Sequence, residues 1–161
     1  MKVKNILTSK DSQYYSGKKK NGIVESAETV FNDFIECHKD KGLVGDRFYN
    51  YAKDYNGQVT FISHDLHLKF QDHMKKEIPL ELYRRNIFVT GQNPLDFVGK
   101  IFRIGNVEFK GIEDCAPCIW MEKTIGEGAL KWMKENHSGG LRAKVLNDGH
   151  LKVGDELNSP N

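Results

Sequence analysis

Two thiols separated by two residues, Cys115-Ala116-Pro117-Cys118, carry the strongest chemical signal in the chain. That spacing serves zinc binding, dithiol exchange, or a single reactive or metal-ligating thiolate with a neighbour. It also occurs as a pair of small, semi-buried residues in a turn. Zinc needs four ligands. His64 and His67 offer a pair at i and i+3, but they sit in an ordinary amphipathic pattern and read as surface histidines. Dithiol exchange wants its motif between a strand and a long helix in a βαβ setting. Here Gly126 and Gly128 interrupt the chain soon after the motif. A persistent thiolate needs an electropositive, partly exposed place, and Arg47, Arg84, Arg85, Lys123, Arg142 and Lys144 are the cations available to make one. Asp46 reads either as a group steadying Arg47 or as a turn cap, and Asp114 as a proton donor or a plain surface acid. Cys37, with no thiol nearby, reads as a packed side chain.

The elements that must position these residues are set by periodicity. Val30, Phe31, Phe34 and Ile35 recur at helical spacing behind Ser26, predicting a helix from Ser26 to His38. Lys18, Lys19, Lys20, Asn21 and Gly22 before it read as a solvated turn. Leu43 to Tyr49 and Gln58 to Ile62 read as strands, and Ser63 as the cap of a helix from His64 to about Lys76. Pro79 interrupts, and Asn86 to Thr90 is an apolar run ending at Gly91, as a buried strand would. Gly105-Asn106 between Lys100–Ile104 and Val107–Ile112 predicts a tight hairpin. Asn147-Asp148-Gly149 between Leu141–Leu146 and His150–Leu157 predicts a second. Glu127 to Asn136 is the one clear late helix, stopped by Gly139-Gly140, and Asn158 to Asn161 reads as a frayed tail. Many short strands with short helices predict a mainly β, barrel-like α+β domain.

Composition bounds the rest. The 161 residues, 39% hydrophobic and 29% charged, fit one globular domain with a core that needs no staples. Lys and Arg total 24 against 22 Asp and Glu, a balance that argues against a nucleic-acid coat. No apolar run reaches the ~18 residues of a membrane span, and the start lacks the apolar stretch of a signal peptide. Three cysteines, an odd number, argue against a secreted disulfide framework, so a cytoplasmic setting is expected.

Four stretches together resemble one family, the molybdenum cofactor sulfurase C-terminal (MOSC) domain. KGLVGDRF at 41–48 is similar to its Gly-x-x-Gly-Asp-Arg segment, and RRNIFVTG at 84–91 to its Arg-x-Asn strand ending in glycine. VGKIFRIGNVEFKGIEDCAPC at 98–118 has the glycine, hairpin and strand that end in Pro-Cys. GGLRAKVLNDGHLKVGDEL at 139–157 is similar to the closing segment with its glycine turn and Gly-Asp. The chain is thus read as a single MOSC-like domain over 1–161 with a motif-bearing core at about 41–157. It departs from many members in having Phe48 where they carry histidine, and in the extra thiol of Cys115.

The resemblance implies a MOSC-type β-barrel that binds the molybdenum–pterin cofactor or carries sulfur. It implies Cys118 as the metal ligand, with Cys118 and Cys115 as the catalytic candidates. It also implies Arg47, Arg85 and Arg142 for the pterin phosphate and Asn86 for the pterin ring, with Gly45, Gly91 and Gly140 allowing close backbone approach. A soft thiolate suits a transition metal, and guanidinium groups suit a phosphate. One implied activity is reduction of N-hydroxylated small molecules with electrons from a separate electron-transfer protein. A second is carriage of a persulfide on Cys118, delivered by a separate desulfurase. A third is a non-catalytic module that binds the cofactor or another anion. No pyridoxal phosphate is expected, because the desulfurase domain that uses it is far longer than this chain allows.

Overall fold

The computed structural model describes residues 1–11 and 28–158. Strands β1 (Lys2–Ser9), β2 (Thr29–Asn32), β3 (Phe34–His38), β4 (Gly42–Leu43) and β5 (Val59–Ser63) precede helix α1 (His64–Met74). Then come β6 (Ile87–Thr90), β7 (Ile101–Ile104), β8 (Val107–Asp114), α2 (Ile119–Ile125), α3 (Ala129–Glu135), β9 (Leu141–Val145) and β10 (Gly149–Lys152). Seven strands form one sheet in the order β2-β1-β6-β5-β9-β8-β7, and β10-β3-β4 form a second. The β5–β6 pair is parallel, and the other pairs are antiparallel.

Both faces of the large sheet are covered, which explains why its central strands read as unbroken apolar runs. Phe61, Ile87 and Val89 face a core shared with Ile35, Leu43 and Leu151 of the small sheet. Ile62 and Phe88, one residue out of phase, face a second core built with Phe70, Trp120, Met121 and Met133 of the helices. Alternation along one strand therefore feeds two cores at once.

The expected barrel is not closed. Among the described residues, β2 and β7 are the end strands of the sheet order. Residues near the chain end span the gap between β7 and β1 by isolated pairs, Ile104 with Leu157 and Lys2 with Glu156. The helix expected over Ser26–His38 is instead β2 and β3, with Ser26 and the lysine tract outside the described residues. In β3, Ile35 and Cys37 point inward while Phe34 and Glu36 point out. A period of two thus prevails over an apparent period near four in a segment rich in β-formers. The strand expected at Leu43–Tyr49 stops at Leu43, because hydrogen bonds from Asp46 N to Leu43 O and Tyr49 N to Asp46 O fold the chain into turns.

The hairpin at Gly105-Asn106 forms as expected. The one at 147–149 does not: β9 is paired on both sides by β5 and β8, so β10 crosses to pair with β3. Helix α2 is not foreseen by the sequence pattern, being only seven residues long with glycines after it. Ser63 caps α1 as expected, its Oγ accepting from Leu66 N. His67 is a correction. It is buried rather than on the surface, and its Nδ1 lies 2.9 Å from the Tyr83 hydroxyl. Among the described residues, no helix is long and apolar enough to cross a membrane.

Burial, with the nearby His64 charge adding to it, pushes His67 down to about 4. An unfolded histidine titrates near 6.5, so between these values the unfolded chain binds the extra proton. The stability contributed by neutral His67 is complete above about pH 6.5 and is lost as pH falls toward 4, by roughly 3 kcal/mol at most. Thermal unfolding is expected to show wild type losing roughly 5 °C more than His67→Phe between pH 7 and pH 5. Parallel pH profiles for the two proteins would contradict this assignment.

Candidate functional site

The segment carrying the two thiols runs from the end of β8 into α2. Its shape depends on a glycine. Gly139 packs so closely that an added Cβ would lie 2.3 Å from the Cys115 carbonyl oxygen and 2.7 Å from Pro117 Cδ. Its neighbour Gly140, at φ +103°, accepts from Cys115 N at 2.7 Å and leaves equally little room beside the Phe61 carbonyl. The expected role of Gly140 in admitting a ligand is therefore corrected: its bare Cα admits the protein's own backbone. Gly45 has open space around its Cα. Gly91 donates its N–H to the Asp65 carboxylate at 2.7 Å.

Arg85 locks this packing. Its guanidinium donates to three backbone carbonyls: Nε to Gly139 at 2.9 Å, one terminal nitrogen to Tyr83 at 3.1 Å, and the other to Cys115 at 3.0 Å. The side chain is buried, and these bonds join the chain before β6, the thiol segment and the turn before β9. Asn86 is committed in the same way. Its oxygen accepts from Thr60 N and Oγ1, and its nitrogen donates to Leu7 O and to Asp46 Oδ1. Two lone pairs and two N–H groups are then used, so its amide has no capacity left for a ligand in this arrangement.

Arg84 points the other way. It closes a 3-10 turn (Leu80–Tyr83) in a left-handed conformation, φ 54°, which sends successive arginines to different surroundings. Its terminal nitrogen lies 3.6 Å from Cys118 Sγ, and its guanidinium carbon is 5.4 Å from the Trp120 ring centroid. Cys118 itself is half-buried at the position capping α2. Arg47 extends this cationic wall, donating to the Arg84 carbonyl at 3.2 Å and stacking 4.6 Å over Phe48. Arg47 and Arg84 line a small open cleft together with Arg85, Asn86, Thr8, Ser9, Glu81 and Asp11. Among the described residues, the buried Nε of Arg47 has no hydrogen-bond partner. Burial lowers the hold of Arg47 on its proton, opposed by Asp46 at 3.7 Å. Asp46 is buried and also accepts from Ser9 N and Phe48 N, so it steadies Arg47 and caps a turn at once.

Cys115 is buried beside a different guanidinium. Burial works against the charge of Arg142, but Cys115 and Glu113 outweigh it, so Arg142 holds its proton more tightly than usual. Glu113 accepts from Arg142 at 3.0 Å. Tyr55 joins this group. Burial raises its titration, and Arg142, Cys115 and Arg47 all act on it electrostatically. Cys37 is a packed thiol as expected, pushed up to about 12 by burial. Among the described residues, no group of three or more His, Cys, Asp or Glu could hold a metal ion by itself.

Of the six expected site residues, the structure brings Arg47, Arg85 and Asn86 to the lining of the cleft. Cys118 does not line it and meets it through Arg84, while Cys115 is buried beside Arg142. Arg84 and Tyr55 were not singled out from the sequence as site residues. The Arg84-Arg85 doublet was visible, but which arginine faces the thiol depends on the left-handed turn.

A family model described as the MOSC domain matches residues 45–158. No curated protein matches the chain in sequence. Solved structures are similar in fold. The YuaD protein from Bacillus subtilis aligns with a TM-score of 0.71 at 15% identity, over 97% of this chain and 93% of that one. YiiM from Geobacillus stearothermophilus aligns at 0.68 and 13% identity over 97% and 73%. YiiM from Escherichia coli aligns at 0.64 and 14% identity over 100% and 71%. Likeness at this identity speaks for the fold alone, but the family pattern spans most of the chain, and the protein belongs to the MOSC domain family.

Proposed function

We propose that Cys118 is a soft thiolate donor at a cationic cleft. There it holds the metal of a molybdenum–pterin cofactor for reduction of small N-hydroxylated substrates, with electrons supplied by a partner protein. The observation that supports this best is the Arg84 guanidinium 3.6 Å from Cys118 Sγ, with Arg47 carried on the Arg84 carbonyl. One wall of positive charge thereby serves both the thiol and the cleft.

The residues present fit that group in two respects. Cys118 is half-buried, packed partly against the helix-side core, and its soft sulfur suits a transition metal and must be deprotonated to bind it. Arg47 brings a buried N–H without a partner among the described residues, at a cleft where an anion such as a phosphate would satisfy it. When bound, the cofactor would supply the oxygen-atom and electron chemistry. The chain's own part is to hold Cys118 at the head of α2, to screen its charge with Arg84 and to orient anionic groups with Arg47. Of the guanidinium groups expected at the pterin phosphate, Arg47, Arg85 and Arg142, this reading keeps Arg47 and adds Arg84; Arg85 lines the same cleft with its nitrogens given to backbone carbonyls.

Persulfide carriage on Cys118 is the second reading, favoured by the second thiol, Cys115, which lies three residues away beside Arg142. Metal, pterin and intact-mass analysis of protein from a molybdenum-replete host separates the two. The proposal expects molybdenum and pterin in wild type and a lower molybdenum content in Cys118→Ala. A reductant-sensitive gain of about 32 Da without metal would transfer the function to sulfur carriage.

The two arginines give a further contrast. Arg84→Ala is expected to leave thermal stability nearly unchanged while weakening anion or cofactor binding by about 1.5–3 kcal/mol, as for a lost charge-assisted bond. Arg85→Lys is expected to lower stability by about 1–3 kcal/mol, because an ammonium cannot reach three carbonyls set around a planar fork. Equal effects of both substitutions on unfolding would contradict the division of roles.

A further inference from the structure

Trp120 meets the turn before β6 twice. Its indole N–H donates to the Leu82 carbonyl at 3.1 Å, and its ring centroid lies 5.4 Å from the Arg84 guanidinium carbon. That distance is within the range over which a cation is attracted to an aromatic face. Trp120 is only 4% exposed, in the core shared by the three helices, so the attraction acts where water weakens it least. Trp120 also stands two residues from Cys118 in the first turn of α2, which Cys118 itself caps. One side chain thus ties the sulfur-bearing segment to the turn that carries Arg84.

Arg84 needs such a tie. An unrestrained arginine side chain moves among many rotamers, and its charge acts strongly on a thiol only from a few ångströms away. Here its terminal nitrogen lies 3.6 Å from Cys118 Sγ. The backbone beneath it is fixed by the 3-10 turn, whose Leu82 carbonyl the indole holds, and by Arg47, which donates to the Arg84 carbonyl. The Trp120 ring then restrains the guanidinium end itself. An aliphatic side chain at this position would fill much of the space but would hold neither the carbonyl nor the guanidinium.

We infer that Trp120 is the positioning residue of the thiol centre: its N–H fixes the turn and its ring face holds the Arg84 guanidinium against Cys118, so that anionic groups reach the sulfur in preference to neutral ones. Trp120 acts through Arg84 and takes no part in the chemical step. The inference rests on the reading of Cys118 as the reactive thiol of the site.

Two alkylating reagents of nearly equal size test it without cofactor or turnover. Iodoacetate carries a negative charge and iodoacetamide none. With each, a carbon–sulfur bond forms to the thiolate and iodide leaves with the bonding pair. Rates at Cys118 are followed by site-resolved peptide mass at one pH, and each is divided by that reagent's rate with a free cysteine peptide. The thiolate fraction is common to both reagents and cancels in their ratio, which leaves the charge that the approaching reagent meets. Wild type is expected to favour iodoacetate by about three- to tenfold. The ratio falls close to one in Arg84→Gln and in Trp120→Leu. It is intermediate in Trp120→Phe, which keeps a weaker ring face without the N–H donor. In the Arg84→Gln background, Trp120→Leu is expected to change nothing further. A ratio of one in wild type, a wild-type ratio in Trp120→Leu, or an effect of Trp120→Leu that is equal with and without Arg84 would overturn the positioning role while leaving the reactive thiol intact. If Trp120→Leu does not fold, Trp120→Phe decides alone, and a wild-type ratio there overturns the role. Failure of both reagents to label Cys118 in wild type would instead overturn the reactive thiol and the positioning role together.

Discussion

A single buried guanidinium holds the site in shape. Arg85 gives its three nitrogens to carbonyls of Tyr83, Cys115 and Gly139, groups from three separate parts of the chain. Buried carbonyls without donors are costly, and a planar fork meets three of them with little loss of side-chain freedom. Because the clamp grips Cys115, it also fixes where the chain turns toward Cys118. Because it grips Gly139, it requires a residue with no Cβ at that point. The Cys-Ala-Pro-Cys loop, the glycine pair and the arginine doublet are thus one mechanical unit.

Charge is distributed around that unit with economy. Asn86 and Asp46 form the buried polar layer beneath it, with the Asn86 amide and the Asp46 carboxylate bonded to each other. Arg84 and Arg47 line the cleft, with Arg84 also reaching Cys118, while Arg142 with Glu113 attends Cys115. The two thiols of one short motif therefore sit in different surroundings. One is half-exposed at the head of a helix and the other is buried, which suits different tasks for each.

Much of this was legible from residue order, and the limits have physical causes. The Ile87–Thr90 strand, the Ser63 cap and the Gly105-Asn106 hairpin follow local rules that the tertiary structure does not override. The segment 29–38 misled because Val30, Phe31, Phe34 and Ile35 satisfy a helical period by accident, although only Ile35 among them is buried. The turn at 147–149 misled because local turn chemistry says nothing about whether the strand before it already has two partners. At the site, Cys118 and Arg47 stand out by type and spacing. Arg85 and Asn86 carry the residue types of ligand-binding groups and line the cleft, with their polar atoms bonded to the protein's own groups in this arrangement. Only the left-handed turn at Arg84 reveals which arginine meets the sulfur.

In the proposed function, Cys118, as a sulfur donor to a metal beside Arg84, is the residue on which activity would turn. X-ray absorption at the molybdenum edge, on protein isolated with its cofactor, tests that role most directly by counting sulfur neighbours of the metal. One more sulfur neighbour in wild type than in Cys118→Ser is the predicted result, with Cys115→Ser matching wild type. A sulfur count unchanged by the loss of Cys118 would contradict it.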